Sequence, residues 1–467
     1  MMKFKHGNIM IPVETQCIAS LQLVFLLLLV AIGSLSAQSL SLDSCKALAI
    51  RNNAAVKNAA LDVKAAQEVK KQARTKYFPQ VSAMAGVYDA AKPLVEYGID
   101  DIGNATARQW LHNLYFEYGA AMGLPDHLSL CENGVVVGAT ALQPVFMGGQ
   151  IVKGNELADV GVSAAYRKSQ LAIDQVLQQV EETYWQIVSL TEKRNTLQQA
   201  ITFLDTLHRD VNAAADAGLV TRNDILKVTL KQNEMRSNML KVENGITLST
   251  MLLCQMIGLD YGENLTLSDT VPVEMPTYDN ITDVEITNAV YGRTERALLD
   301  LQVKAEKLKK QMAIGESSPH LLVGATASYG NLVFDRYTAN ALVFATLQVP
   351  LTGWWETAHK IKQQNYAIQK AENERDDLTE KMMLETRQAW CNIGEARSQV
   401  ELAETTVRDA QANLQTARTN YDAGLIPMSE LLEAQTLLLQ AHNQRTDALI
   451  DLQIKNNRYR RLTGAGY

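Results

Sequence analysis

The sequence is short of most residues that catalytic and metal sites are built from. Aromatics make up only 6% of the 467 residues, with 5 Trp and 8 Phe, which excludes a large aromatic core. Cysteine occurs at Cys17, Cys45, Cys131, Cys254 and Cys391, widely scattered and without a CxxC pair. That spacing excludes a structural zinc site and leaves isolated buried thiols or one stapling disulfide. His112, His127, His208, His320, His359 and His442 are dispersed with no HExxH, so neither a catalytic constellation nor a metal or other cofactor is expected. Basic residues show no excess. Lys and Arg number 44 against 51 Asp and Glu, and the net charge of −7 carries no footprint for nucleic acid. The run "GGQIVKG" at Gly148–Gly154 lacks the GxxxxGK[ST] spacing of a phosphate loop and reads as a strand-to-helix turn. Long apolar runs are missing everywhere except near the N-terminus, so the mature chain has no candidate transmembrane helix.

That one run has the layout of a secretory signal peptide. Lys3 and Lys5 precede "LQLVFLLLLVAIG", and small residues follow up to Ala37, the expected cleavage point. Residues 1–37 are therefore read as removed. Cys17 lies ahead of the apolar run, whereas a lipoprotein cysteine would follow it. The remainder is rich in Ala, Leu, Gln, Asn and Thr, a composition suited to long packed helices.

Landmarks in that remainder occur in pairs. "ADAGLVTRNDILKVT" from Ala215 is matched by "YDAGLIPMSELLEAQ" from Tyr421, and Gly258 by Gly464. Tyr184–Trp185 pairs with Ala389–Trp390, and Gly148 with Gly353. Upstream, Asn52 pairs with Gly292 and Pro79 with Pro319 at a longer offset, so the first copy carries an insertion between Pro79 and Gly148. It is centred on "RQWLHNLYFEYG" and falls in the outer loop of the first strand pair, either self-packed or as a ligand-contact or plug surface. This is a duplicated unit whose copies bury faces on one another. The expected division is 38–258 for the first repeat, 259–281 for a mid-height linker rich in Gly, Pro, Asn and Asp, and 282–467 for the second repeat.

Each copy reads as helix, strand pair, long helix, turn, helix. The strands are short alternating runs near 80–90 and 134–146, then 320–330 and 339–350, with Pro79, Pro144, Pro319 and Pro350 at their ends. No Pro or Gly interrupts Val162–Ala217, where Ile173, Leu177, Val180, Tyr184 and Ile187 recur at threes and fours. Long helices of this kind reach ~100 Å and pack as extended coiled coils.

The repeated Asp-Ala-Gly-Leu turn is the far tip of each helical hairpin. Gly218 and Gly424 suit the left-handed residue that ends a helix. Thr221 with Asp224 suits a capping box, and Pro427 suits a first helical turn. Two similar tips are either well-made helix turns or surfaces that meet one partner or close one aperture from both halves. The strand outer faces are apolar at Leu321, Val323, Ala325, Ala327 and Tyr329, and Phe146, Trp354 and Trp355 sit at strand ends like a membrane aromatic girdle. Four strands cannot close a transmembrane barrel, which needs about eight, so several protomers must pool theirs.

On these residues the chain resembles the TolC-type outer-membrane factors of efflux and type I secretion systems. The stretches that carry the resemblance are "LSLDSCKALAIRNNAAVKNAALDVKAAQ", "PVFMGG", "DAGLVTRNDIL", "YDAGLIPMSELLEAQ" and the terminal "RLTG". The resemblance implies a mainly α fold with a small β-barrel contribution: a homotrimer with a shared 12-stranded barrel in outer-membrane lipid and a long periplasmic α-barrel. It implies a passive exit duct, a periplasmic adaptor as partner and, through it, an inner-membrane pump. The adaptor-docking tips would be Ala217, Gly218, Leu219 and Val220 with Ala423, Gly424, Leu425 and Ile426. Asp224 and Tyr421 would hold the inter-helix latch, and Glu430 and Glu433 the acidic entrance rings. The family's latch arginine falls at Ile426, which is uncharged. The alternative is a soluble periplasmic coiled-coil adaptor or scaffold without a pore, which predicts a single hairpin flanked by β-domains.

Overall fold

The computed structural model describes residues 39–91, 95–122, 124, 127–130, 133–260, 266–271, 283–330 and 337–464. The signal segment, Cys131 and most of the expected linker lie outside the described residues. The first copy contains β1 (Ser39–Leu40), α1 (Leu42–Asn52), α2 (Ala54–Thr75) and β2 (Gln80–Asp89). The insertion follows with β3 (Val95–Gly98), α3 (Ala105–Leu114) and β4 (His127–Leu130). The copy closes with β5 (Asn133–Met147), α4 (Gln150–Asp216) and α5 (Arg222–Ile257). After β6 (Thr266–Leu267), the second copy runs α6 (Asp283–Gly292), α7 (Thr294–Glu316), β7 (His320–Gly330), β8 (Thr338–Gln348), α8 (Gly353–Asp422) and α9 (Met428–Thr463).

The duplication is visible in the backbone. α5 and α9 are each 36 residues long and end on left-handed glycines, Gly258 and Gly464. Asn53 and Arg293 occupy matching breaks, α1 from α2 and α6 from α7, both in extended conformation. Asn53 does this with its own side chain, whose Oδ1 accepts from the Ala55 N–H at 2.8 Å. The sequence reading missed α1, α6 and the two-residue strands, because segments this short carry too few periods to register.

The chain divides into two compact units. One takes the described parts of residues 1–58, 172–289 and 384–467 and is helical apart from the small parallel pair β1–β6. A core of Val180, Tyr184, Ile187, Leu253 and Ile257 packs around Cys45 and Ala49 of α1. A second cluster near the tips joins Leu204, Val211 and Val228 to Met428, Leu431 and Leu439, so both hairpins share it. Two polar anchors lie within this unit. The buried Tyr184 hydroxyl donates to Asp269 Oδ2 at 2.7 Å, and the same carboxylate accepts from the Leu42 N–H at 3.1 Å. Glu181, 5% exposed, meets Lys46 Nζ at 3.1 Å, Arg461 Nη1 at 3.1 Å and Asn457 Nδ2. Those groups satisfy a charge that would be costly to bury alone.

The other unit, residues 59–171 and 290–383, is built on the antiparallel sheet β2-β5-β7-β8. Its chain must leave β5 and turn sharply into α4, and Gly148 and Gly149 do so with φ of +59° and +79°. A Cβ on Gly148 would also strike the Gly315 carbonyl, so two backbones cross here at glycine-only distance.

Candidate pore and docking elements

Each tip is a Schellman turn. Leu219 N–H donates to the Ala214 carbonyl at 2.8 Å and Gly218 N–H to Ala215 at 2.9 Å. In the second copy Leu425 donates to Asn420 at 2.8 Å and Gly424 to Tyr421 at 2.9 Å. This bonding needs a left-handed residue at the turn, and Gly218 and Gly424 have φ of +75° and +72°. The turn then pushes the next apolar side chain outward: Leu219 and Leu425 are 79% and 74% exposed. Ala217 and Ala423 are exposed beside them, while Val220 and Ile426 turn inward against the shared core.

Inside the two tips is a cleft of about 810 Å³. Its walls include Phe203, Leu207, Val220, Tyr421, Ile426 and Met428, with Asp210, Asp224, Asp422 and Arg418 among them. Asp224 is held by Thr221, whose Oγ1 donates to it at 2.6 Å, and by Lys227 at 3.4 Å. Hydrogen bonding to Thr221 is the main reason its carboxyl titrates below the usual range. Tyr421 shifts the other way, chiefly by burial and then by the negative charge of Asp224. The two residues expected in the latch therefore share one cleft. Glu430 and Glu433 do not line it. They lie exposed on the face of α9 opposite buried Met428, Leu431 and Leu432. Sequence reading missed Phe203 and Arg418, whose guanidinium sits 6.0 Å over the Phe203 ring. Both belong to otherwise ordinary helix patterns, and only packing brings them to the tips.

Residues 47–259 and 299–465 match the family model described as outer membrane efflux protein. The chain belongs to that family. No curated protein matches the chain. Several solved outer-membrane channels share the fold of this efflux protein. The Campylobacter jejuni channel CmeC is 15% identical, with 91% of this chain and 86% of that one covered at a TM-score of 0.73. VceC of Vibrio cholerae is 14% identical, covering 90% and 96% at 0.69. MtrE of Neisseria gonorrhoeae, solved in its open state, is 14% identical, covering 90% and 88% at 0.69. The mainly helical fold with a small β contribution is thus that of outer-membrane channels. The break in the family match, residues 260–298, includes α6 and the start of α7.

The sheet of this outer membrane efflux protein has one apolar and one mixed face. Register puts Val81, Ala83, Ala85 and Val87 of β2 beside Ala141, Ala139, Val137 and Val135 of β5. Ala325, Ala327 and Tyr329 of β7 continue the same face and pair with Val343, Ala341 and Ala339 of β8. The opposite face is mixed: Gln80, Ser82, Thr140, Thr326, Ser328 and Asn340 alternate with Met84, Val136, Leu142, Leu342 and Phe344, and Thr140 and Thr326 join hydroxyls at 3.2 Å. Period-two alternation explains the split. At the helix-side end of the sheet Phe146, Trp354 and Trp355 are exposed, as are Tyr77 and Phe78, which the sequence reading passed over. Trp354 Nε1 is fixed to the Ser317 carbonyl at 3.1 Å. At the other end Tyr329 and Tyr337 stack at 5.8 Å. No described helix is long and apolar enough to cross a membrane, and among the described residues no cluster of His, Cys, Asp or Glu could hold a metal ion.

Proposed function

We propose that this protein is the passive outer-membrane exit duct of a tripartite export system. The observation that carries the reading is the four-stranded sheet. One face is Ala, Val, Leu, Phe or Tyr except at Gln143 and at the pair Asp89 and Asn133 where the insertion leaves the sheet, and among the described residues both outer strands have an unpaired edge. Long exposed apolar edges are a hazard that closure removes. An even strand number keeps every junction between copies antiparallel, and the three copies that the family resemblance implies would close a 12-stranded barrel with the apolar face toward lipid. Phe146, Trp354 and Trp355 then lie at one membrane interface and Tyr329 and Tyr337 at the other. The repeats 38–258 and 282–467 each supply one hairpin to a periplasmic helical barrel, joined through 259–281, after removal of residues 1–37. The tips Ala217–Val220 and Ala423–Ile426 dock a periplasmic adaptor that leads to an inner-membrane pump. Asp224 and Tyr421 hold the entrance, and Glu430 and Glu433 ring it. Two hairpins of equal return length and membership in the efflux family support this reading over a soluble scaffold.

Light scattering of the detergent-solubilised protein, corrected for bound detergent, should give three protomers, and the protein should conduct ions in planar bilayers. A monodisperse, detergent-independent monomer would end the duct reading.

A further inference from the structure

The first copy carries residues 90–132 where the second has only 331–337 between its strands. Both ends of this insertion leave the sheet at the pair Asp89 and Asn133, the last of the β2–β5 register, at the end where Tyr329 and Tyr337 stack. Helix α3 packs mainly on the turns either side of it.

The helix has two unlike faces. Asn104, Arg108 and His112 recur every four residues, and all three are engaged within the insertion. Asn104 Oδ1 caps the N–H groups of Thr106 and Ala107 at 3.0 and 3.2 Å. Arg108 reaches the Asp100 carbonyl at 3.4 Å, and His112 the Asp100 carboxylate at 3.2 Å. Two positions on, about 200° around the helix, is a second row: Trp110, Leu114 and Tyr118. They are 63%, 42% and 55% exposed. The backbone widens to a π-turn over Tyr115–Gly119, which keeps Tyr118 in line with Leu114. An uncovered apolar row of this kind marks an interaction surface.

We propose that this row lies in the interfacial layer of the membrane around the barrel, with α3 flat on its outer surface. The reading rests on the barrel placement above. Lipid is favoured over a soluble partner because the insertion starts at the tyrosine-lined strand ends, where the apolar sheet face stops. Trp110 and Tyr118 lie on one face. Asn104, Arg108 and His112 lie on the other, with Phe116, stacked on His112 at 5.7 Å, as the apolar end of their row. Aromatic residues along one face opposite charged and polar ones is the pattern of an interfacial helix.

The test uses the full-length trimer in phosphatidylcholine vesicles with brominated acyl chains, comparing wild type with Trp110→Phe. The difference isolates the emission of Trp110. That emission should lose most of its intensity to bromine, shift to the blue and resist acrylamide added to the water. Tyr118→Trp in the Trp110→Phe background should report the same environment, should Trp110→Phe disturb assembly. Emission open to acrylamide and untouched by bromine at both positions would overturn the proposal, provided Trp354 and Trp355, isolated by a Trp354→Phe/Trp355→Phe variant, are quenched. If those two also escape bromine, the barrel reading falls and this inference with it.

Discussion

Glu181 is the residue whose loss should cost most in the helical unit. Its carboxylate answers Lys46, Arg461 and Asn457, groups from the two ends of the described chain. Glu181→Ala leaves Lys46 and Arg461 partly buried and unpaired, so a loss of about 3–5 kcal/mol is expected in denaturant unfolding. Glu181→Gln should lose less, because the amide keeps an acceptor for Asn457. Cys45 gives a pH prediction. Burial raises its thiol to about 11, and burial with the bond to Asp269 raises the Tyr184 hydroxyl as well. Both groups are neutral in the fold: the thiol's contribution is full below its unfolded value of 9.0 and is lost as pH rises from there through about 11, while the tyrosine's begins to be lost only above its unfolded value of 10.0. Thermal stability should therefore fall across that range, and Cys45→Ser should flatten part of the fall. Near neutral pH Cys391, which is exposed, should take up a thiol reagent while Cys45 does not.

At the scale of elements the tips carry the distinguishing prediction. Gly218→Ala and Gly424→Ala force a side chain into the left-handed region, at about 1–2 kcal/mol each of local stability. Nothing lies within 4 Å of the added Cβ, so the strain is purely of the backbone. Charged substitutions at Leu219 and Leu425 behave differently. These side chains point into solvent, so stability should change by no more than about 0.5 kcal/mol. Export by cells carrying Leu219→Asp/Leu425→Asp should nevertheless stop, with trimers intact in the membrane. Normal export would mean that the tips are only helix turns.

For the whole molecule the charge of the assembled entrance matters. Glu430 and Glu433 share the exposed side of α9. In the proposed trimer they would bring six carboxylates to the entrance, and a narrow mouth lined by one sign of charge would concentrate cations. Glu430 alone could serve the helix dipole, since it lies in the first turn. Glu433 lies beyond that turn. Glu430→Ala/Glu433→Ala should lower cation selectivity and weaken block by multivalent cations in planar bilayers. Unchanged selectivity in well-assembled trimers would show that the pair lies away from the pore.

The sequence by itself determined the duplication, the four strands and the tip turns. Each depends on local rules: glycine at a left-handed turn, period-two alternation in a strand, or a helix run without Pro or Gly. Gly218 and Gly424 were legible because no other residue takes that conformation cheaply. Tertiary structure alone decided the rest. The cleft that unites Asp224 and Tyr421 with Phe203 and Arg418 joins residues about 200 positions apart. Glu181 meets Lys46 and Arg461 only because the chain's two ends return to one helix. The second face of α3 emerged only when Asn104, Arg108 and His112 were seen to be engaged, leaving Trp110 and its row uncovered. Such pairings are set by packing between elements, and a periodic pattern records which face is buried without naming what buries it.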